Sequence, residues 1–146
     1  MEVSIHSAET KFGLQLHEEE SIKQWIVSTI KKENQTEEGE ITIIFCPDEY
    51  LLKINKEYLD HDYYTDIITF PYSDNPLIAD LFISIDRVKD NAIDHSVSFE
   101  EELRRVIIHG ILHLCGYDDD TPSSQKKMRE AENRYLNVWK KFNQSE

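Results

Sequence analysis

Positive charge is scarce in this sequence. Sixteen lysines and arginines stand against 29 aspartates and glutamates, for a net charge of −13 over 146 residues. Nucleic-acid phosphates reward basic surfaces, so this balance excludes indiscriminate binding to RNA or DNA. Long apolar runs are missing too. The strongest candidate, Val106 to Cys115, is broken by two histidines and a glycine, which excludes a membrane span there. Cysteine is limited to Cys46 and Cys115, too few for a disulfide framework, and both are expected to be reduced core thiols. Residues Met1 to His6 show no basic segment leading into an apolar one, so the expectation is a cytoplasmic protein without a secretory signal. Glycine and proline, four of each, punctuate short elements and build no linker. What remains is an ordinary globular composition, 39% hydrophobic and 31% charged, read as a single domain over residues 1–146.

The pattern predicts an α/β (α+β) fold, a small mixed sheet of about four strands covered by about five helices. Val3 to Ala8 reads as an edge strand. Glu18 to Glu33 reads as a helix with Ile22, Trp25, Ile26 and Ile30 on one face. The polar stretch Asn34 to Gly39 ends it. Ile41 to Cys46 is β-branched and apolar, a strand. Pro47 opens a helix to about Tyr58, burying some of Leu51, Leu52 and Ile54. Asp66 to Tyr72 and Asp80 to Ile85 are the next strands. Asp86 is the expected N-cap of a short helix carrying Val88, Ala92 and Ile93. Ser98 and Glu101 form a capping box before an apolar helix ending at Cys115-Gly116. Pro122 opens the last helix, with Met128, Ala131, Tyr135, Val138, Trp139 and Phe142 on its apolar face.

The chemistry concentrates between His109 and Asp120. His109 and His113 are four apart on the penultimate predicted helix, so one turn brings both imidazoles to the same side. Gly116 allows a sharp turn at the helix end, and the chain then returns as Asp118-Asp119-Asp120. The pattern is H-x-x-x-H-x-x-G-x-x-D. Two histidines and a carboxylate form a cation site with a fourth position open for water, as catalytic zinc sites have. Spacing alone lets any of the three aspartates reach. Cys115, two residues past His113, points to the other side of the helix and is expected in the core. Gly110 stands where an H-E-x-x-H peptidase has its glutamate base, so peptide hydrolysis by that route is not expected. A water of lowered pKa on the cation remains available as the reactive group.

At these residues the chain resembles the YbeY family, described as endoribonuclease or rRNA maturation factor, whose hallmark is H-G-x-L-H-L-x-G-Y-D-H. The segment His109 to Asp118 matches each fixed position up to the last, where Asp119 stands in place of the third histidine. A second family block is matched by Asn55, Tyr58 and Thr65 to Phe70, and a third by Ala79 to Ser84. The resemblance implies one zinc ion held by His109, His113 and Asp119. It also implies a cytoplasmic endoribonuclease that cuts single-stranded RNA. Such an enzyme would mature rRNA, notably the small-subunit 3′ end, and serve ribosome quality control beside small-subunit assembly components. No membrane and no DNA are expected as partners. Aspartate is an acceptable zinc ligand, but its charge makes the metal a weaker Lewis acid. Leu59 stands where the family usually has an arginine thought to help with the RNA phosphate, so slow cleavage and a gain from Leu59→Arg are expected.

Asp66 is the candidate catalytic carboxylate, able to orient a ligand or take a proton, with a strand-start role as the structural alternative. Tyr117 could stack a base or simply pack. From Pro122 to Phe142 the bases outnumber the acids, and Lys126, Lys127 and Arg134 are the candidate RNA contacts. His6, His17, His61 and His95 receive no role. Two other classes stand beside the nuclease: another zinc hydrolase, metallopeptidase-like, and a ribosome-associated assembly factor with a structural metal.

Overall fold

The computed structural model describes residues 1–34, 36 and 38–144, with side chains through residue 141. The elements run β1 (Glu2–Ser7), α1 (Leu16–Asn34), β2 (Gly39–Cys46), α2 (Asp48–Leu59), β3 (Ile67–Asp74), β4 (Leu77–Ser84), α3 (Ile85–His95), α4 (Phe99–Leu114) and α5 (Pro122–Gln144). The four strands form one mixed sheet in the order β1-β2-β4-β3. β1, β2 and β4 are parallel, and β3 joins β4 as an antiparallel hairpin. The predicted α+β layering is what the chain adopts, with four strands and five helices among the described residues.

Side-chain alternation sorts the sheet into two unequal faces. Ile41 and Ile43 of β2 with Ala79, Leu81 and Ile83 of β4 enter the main core, which Ile22, Trp25, Ile26 and Ile30 of α1 also enter. α4 adds Leu103, Val106, Ile107, Ile108, Ile111 and Leu112, and α5 adds Met128, Ala131, Tyr135, Leu136 and Trp139. On the other face a smaller cluster forms where Leu51 of α2 covers Cys46 and Ile68. Burial pushes both thiols up to about 12, and neither is paired. Among the described residues no helix is long and apolar enough to cross a membrane.

Several local expectations are corrected. The cap of α3 is Ser84, whose Oγ accepts from Arg87 N, while Asp86 lies in the first turn and accepts from Asp48 N at the start of α2. Ile85 therefore begins a helix instead of ending a strand. Ile93 is 75% exposed, because only Val88 and Ala92 of that helix face the core with Ile85. Pro47 is the N-cap of α2 and not its first residue, whereas the expected burial of some of Leu51, Leu52 and Ile54 holds, through Leu51. β3 and β4 each extend toward a tight turn at Asn75-Pro76, which the polar residues there had hidden. The Phe142 side chain and residues 35 and 37 of the expected Asn34–Gly39 stop lie outside the described residues.

Gly110 has a packing reason to be glycine. A Cβ there would come within 2.5 Å of Ile67 Cδ1 and 2.8 Å of Leu81 Cδ2, so α4 rests almost directly on the β3–β4 hairpin. Gly110→Ala is expected to destabilise the fold by about 1–3 kcal/mol, the usual cost of overpacking a filled core. Denaturant unfolding measures it, and an unchanged midpoint would show that the hairpin side chains yield freely.

Candidate metal centre

Helix α4 sets the site. Ser98 Oγ accepts from Glu101 N at its start, and Cys115 N closes its last turn on Ile111 O and Leu112 O. Gly116 follows at φ 101°, a left-handed conformation that favours glycine, and turns the chain back over the helix. Thr121 and Ser124 exchange hydrogen bonds at the start of α5, and Asp120 accepts from Ser124 Oγ. Gln125 Nε2 donates to Asp119 O. The aspartate turn is thus tied to α5 through its flanks, which leaves the Asp119 carboxylate to face the histidines.

Three acceptor atoms converge there. His109 Nε2 and His113 Nε2 are 3.0 Å apart, and Asp119 Oδ2 lies 3.3 Å from the first and 3.4 Å from the second. Among the described residues this is the one trio of His, Cys, Asp or Glu close enough to share a cation. Asp118 lines a different hollow, beside Tyr117 and Lys127.

The other ring nitrogens decide the protonation. His113 Nδ1 is 2.9 Å from the carbonyl oxygen of Tyr117, which can only accept, so Nδ1 carries a hydrogen. His109 Nδ1 is 2.7 Å from Glu132 Oε2, and donates likewise. Both Nε2 atoms are then bare in the neutral rings. Two lone pairs and a carboxylate at such separations repel unless a cation sits among them. Tetrahedral zinc with bonds of about 2.0–2.2 Å needs ligand atoms about 3.3–3.6 Å apart, close to what these donors present. The donor set therefore fits a borderline-soft divalent cation that His109, His113 and Asp119 would hold.

Electrostatics agree. Burial opposes protonation of His109, yet the Glu132 hydrogen bond and the charges of Glu132, Asp119 and Asp66 outweigh it and raise its pKa. The surroundings attract positive charge to this ring, as a proton or as a metal. Glu132 is 5% exposed, and although burial pushes its pKa up, hydrogen bonds from His109 and Arg105 hold it below the usual carboxylate range. Asp66 is raised, first by burial, against the lowering effect of His109. Asn91 Nδ2 donates to its Oδ2 at 3.3 Å, and its backbone oxygen accepts from Ser84 N.

His109 and Asp119 of the trio line a cleft of about 630 Å³. α4 is its floor, with Glu102, Arg105, Val106 and His109 along one stripe. Asp66, Asn91 and His95 also line it, together with Gln125, Lys126 and Arg129 of α5. Of the three basic residues expected to meet RNA, only Lys126 lines this cleft. Lys127 faces the hollow beside Tyr117, and Arg134 lies 3.7 Å from Glu33. The sequence reading missed Glu132 and Arg105, and it gave His95 no role, although His95 Nδ1 pairs with buried Glu102 on the cleft wall. A helical stripe at 102, 105, 109 and 113 was the available signal. Tyr117 does more than pack, since its hydroxyl donates to Glu33 at 2.9 Å while its carbonyl holds His113.

Three donors able to hold a cation, two of them lining a cleft in a mixed α/β domain, are the make-up of a metal-dependent hydrolase. The family model described as Endoribonuclease YbeY matches residues 4–140, and the chain belongs to that family. It is 48% identical over 130 residues to Endoribonuclease YbeY of Flavobacterium psychrophilum, covering 88% of this chain and 92% of that one. It is 51% identical over 129 residues to the protein of that name from Flavobacterium johnsoniae, covering 88% and 91%. The fold is similar to the solution structure of TM1509 from Thermotoga maritima, with TM-score 0.69 and 27% identity over 98% of this chain and 93% of that one.

Proposed function

We propose that this chain is a zinc-dependent endoribonuclease that cuts single-stranded RNA during rRNA maturation, including small-subunit 3′-end processing, and in ribosome quality control. The observation that carries the reading is the convergence of His109 Nε2, His113 Nε2 and the Asp119 carboxylate, two of these residues lining an open cleft. Its workplace is the cytoplasm, beside small-subunit assembly components. A bound zinc ion supplies a Lewis acid for the phosphate and a water of lowered pKa.

The chain's own groups do the rest. His109, His113 and Asp119 hold the ion, with Glu132 and the Tyr117 carbonyl fixing the two rings. Asp66, buried enough to be raised yet on the cleft wall, can accept a proton at Oδ1 or Oδ2 from the attacking water. Lys126 meets the backbone of the RNA. Gly110 leaves no glutamate for the standard peptidase route, and the open side of the cluster speaks against a purely structural ion.

Zinc-loaded protein offered a single-stranded oligoribonucleotide, the same sequence in a duplex, and its DNA counterpart tests the reading. Cleavage of the first alone is expected. Equal cutting of the DNA, or none of the three, would contradict it.

A further inference from the structure

Glu132 has more positive neighbours than its single charge requires. Arg105 Nη1 donates to Oε1 at 2.8 Å, and Arg129 Nη1 approaches the same oxygen at 3.9 Å, while His109 takes Oε2. A buried carboxylate is satisfied by one counter-charge and its hydrogen bonds. Here two guanidiniums surround it, so the group keeps a formal positive excess on the cleft side even with His109 neutral. Arg105 also donates from Nη2 to Asn133 Oδ1 at 3.0 Å, which fixes the plane of the fork. A guanidinium offers five N–H donors, and these two bonds leave others over. Arg105 precedes His109 by one helical turn on the same face of α4, so the fixed fork and the metal ligand rise into the same cleft.

Charge is divided across that cleft. Arg105 and Arg129 gather on Glu132 of α5, and Lys126 belongs to α5, whereas Asp66 and Glu102 pair with Asn91 and His95 of α3; three bases thus stand against Glu132 and Asp119 on the first side. A polyanion entering the cleft is drawn to the first side and repelled by the second. Leu59, where the family resemblance leads one to expect an arginine, ends α2 and is not among the residues that line the cleft.

We propose that Arg105 and Arg129, gathered around Glu132, form the phosphate subsite of this cleft. The inference rests on the endoribonuclease reading above. The planar fork of Arg105, held on two sides, suits two phosphate oxygens at once. Arg129, 60% exposed in its side chain, supplies a mobile second cation. Beyond the scissile phosphate the RNA backbone then runs along α5, away from Glu102.

The test uses zinc-loaded protein and a 2′-O-methyl single-stranded oligonucleotide, checked by gel to be intact after each titration, with binding read by fluorescence anisotropy across a salt series. Arg105→Gln combined with Arg129→Gln is expected to reduce the slope of log K against log salt by about 1.4, about 0.7 for each phosphate that is no longer neutralised. With unmodified RNA the rate should fall on the order of a hundredfold while zinc content stays at the wild-type level. Arg129→Gln alone, at an exposed position, is expected to give about half of the slope change and keeps the test sound if Arg105→Gln impairs folding. Arg105→Lys should preserve the slope and still lose rate, since it keeps the charge without the fork. A folded, metallated Arg129→Gln or double variant with wild-type slope and rate overturns the proposal. So does a slope that falls only in a Lys127→Glu/Arg134→Glu protein, which would put the RNA on the other side of α5. Wild-type protein that neither binds nor cuts RNA overturns the endoribonuclease reading itself.

Discussion

Proteins carrying His109→Ala or His113→Ala are expected to fold, to lose their zinc, and to cut single-stranded RNA about a thousandfold more slowly or worse. Each imidazole is one of the three donors proposed to hold the ion, and two donors do not hold a divalent ion in a cleft open to water. The chemistry lost with the ion is worth several kcal/mol, and about 4 kcal/mol already corresponds to a thousandfold in rate. Folding should survive because both side chains are partly exposed, about a quarter of their surface, outside the packed face of α4. Asp119→His should retain the ion, since imidazole is a ligand of equal standing. Asp119→Ala should bind it more weakly than wild type. Wild-type zinc affinity in Asp119→Ala would remove that carboxylate from the ligand set.

Glu132→Ala is expected to lower zinc affinity about 10–100-fold although Glu132 touches no metal. Its carboxylate takes the Nδ1 hydrogen of His109 at 2.7 Å, which keeps Nε2 bare and aims it at Asp119. Without it His109 can change tautomer or rotate, and the trio loses its shape. Glu132→Gln keeps an oxygen acceptor and should recover part of the affinity, so the pair of variants separates ring positioning from simple packing damage. Competitive titration against a chromophoric chelator gives the affinities. The visible spectrum of the cobalt-substituted protein reports whether the three ligands keep their geometry. Equal zinc affinity in all three proteins would leave Glu132 a purely structural residue.

The parts of this molecule that could be read from sequence are those written in local periodicity. The α4 stripe, its Ser98 cap and the Gly116 turn were legible because helix spacing and left-handed backbone each leave a local mark. Two competing caps two residues apart made the start of α3 ambiguous: Ser84 took the helix, and Asp86 was free to cap α2 from across the chain. Ile93 looked like core only because the apolar stripe of α3 was drawn too wide.

The inner surroundings of the metal centre were harder to see. Glu132 lies 23 residues after His109, and only the docking of α5 on α4 brings them together. In the sequence Glu132 was merely one of two acids interrupting a basic helix. The same docking divides the basic residues of α5 between two sides, so a count of charges along that helix could not tell Lys126 from Lys127. His95 reached the cleft because α3 ends beside the first turns of α4, where Glu102 receives it. The resemblance supplied Asp119 from three adjacent aspartates, a choice that spacing left open and that the turn geometry places beside both histidines.

One measurement bears on the central claim most directly: zinc content and RNA cleavage followed together while the ion is stripped from the wild-type protein with chelator and then returned. One zinc per chain is expected in the active protein. Activity should fall in proportion to the zinc removed and return with one equivalent, while His113→Ala, treated identically, regains neither. Full cleavage by zinc-free protein, or by His113→Ala, would contradict the assignment of His109, His113 and Asp119 as the centre of a metal-dependent ribonuclease.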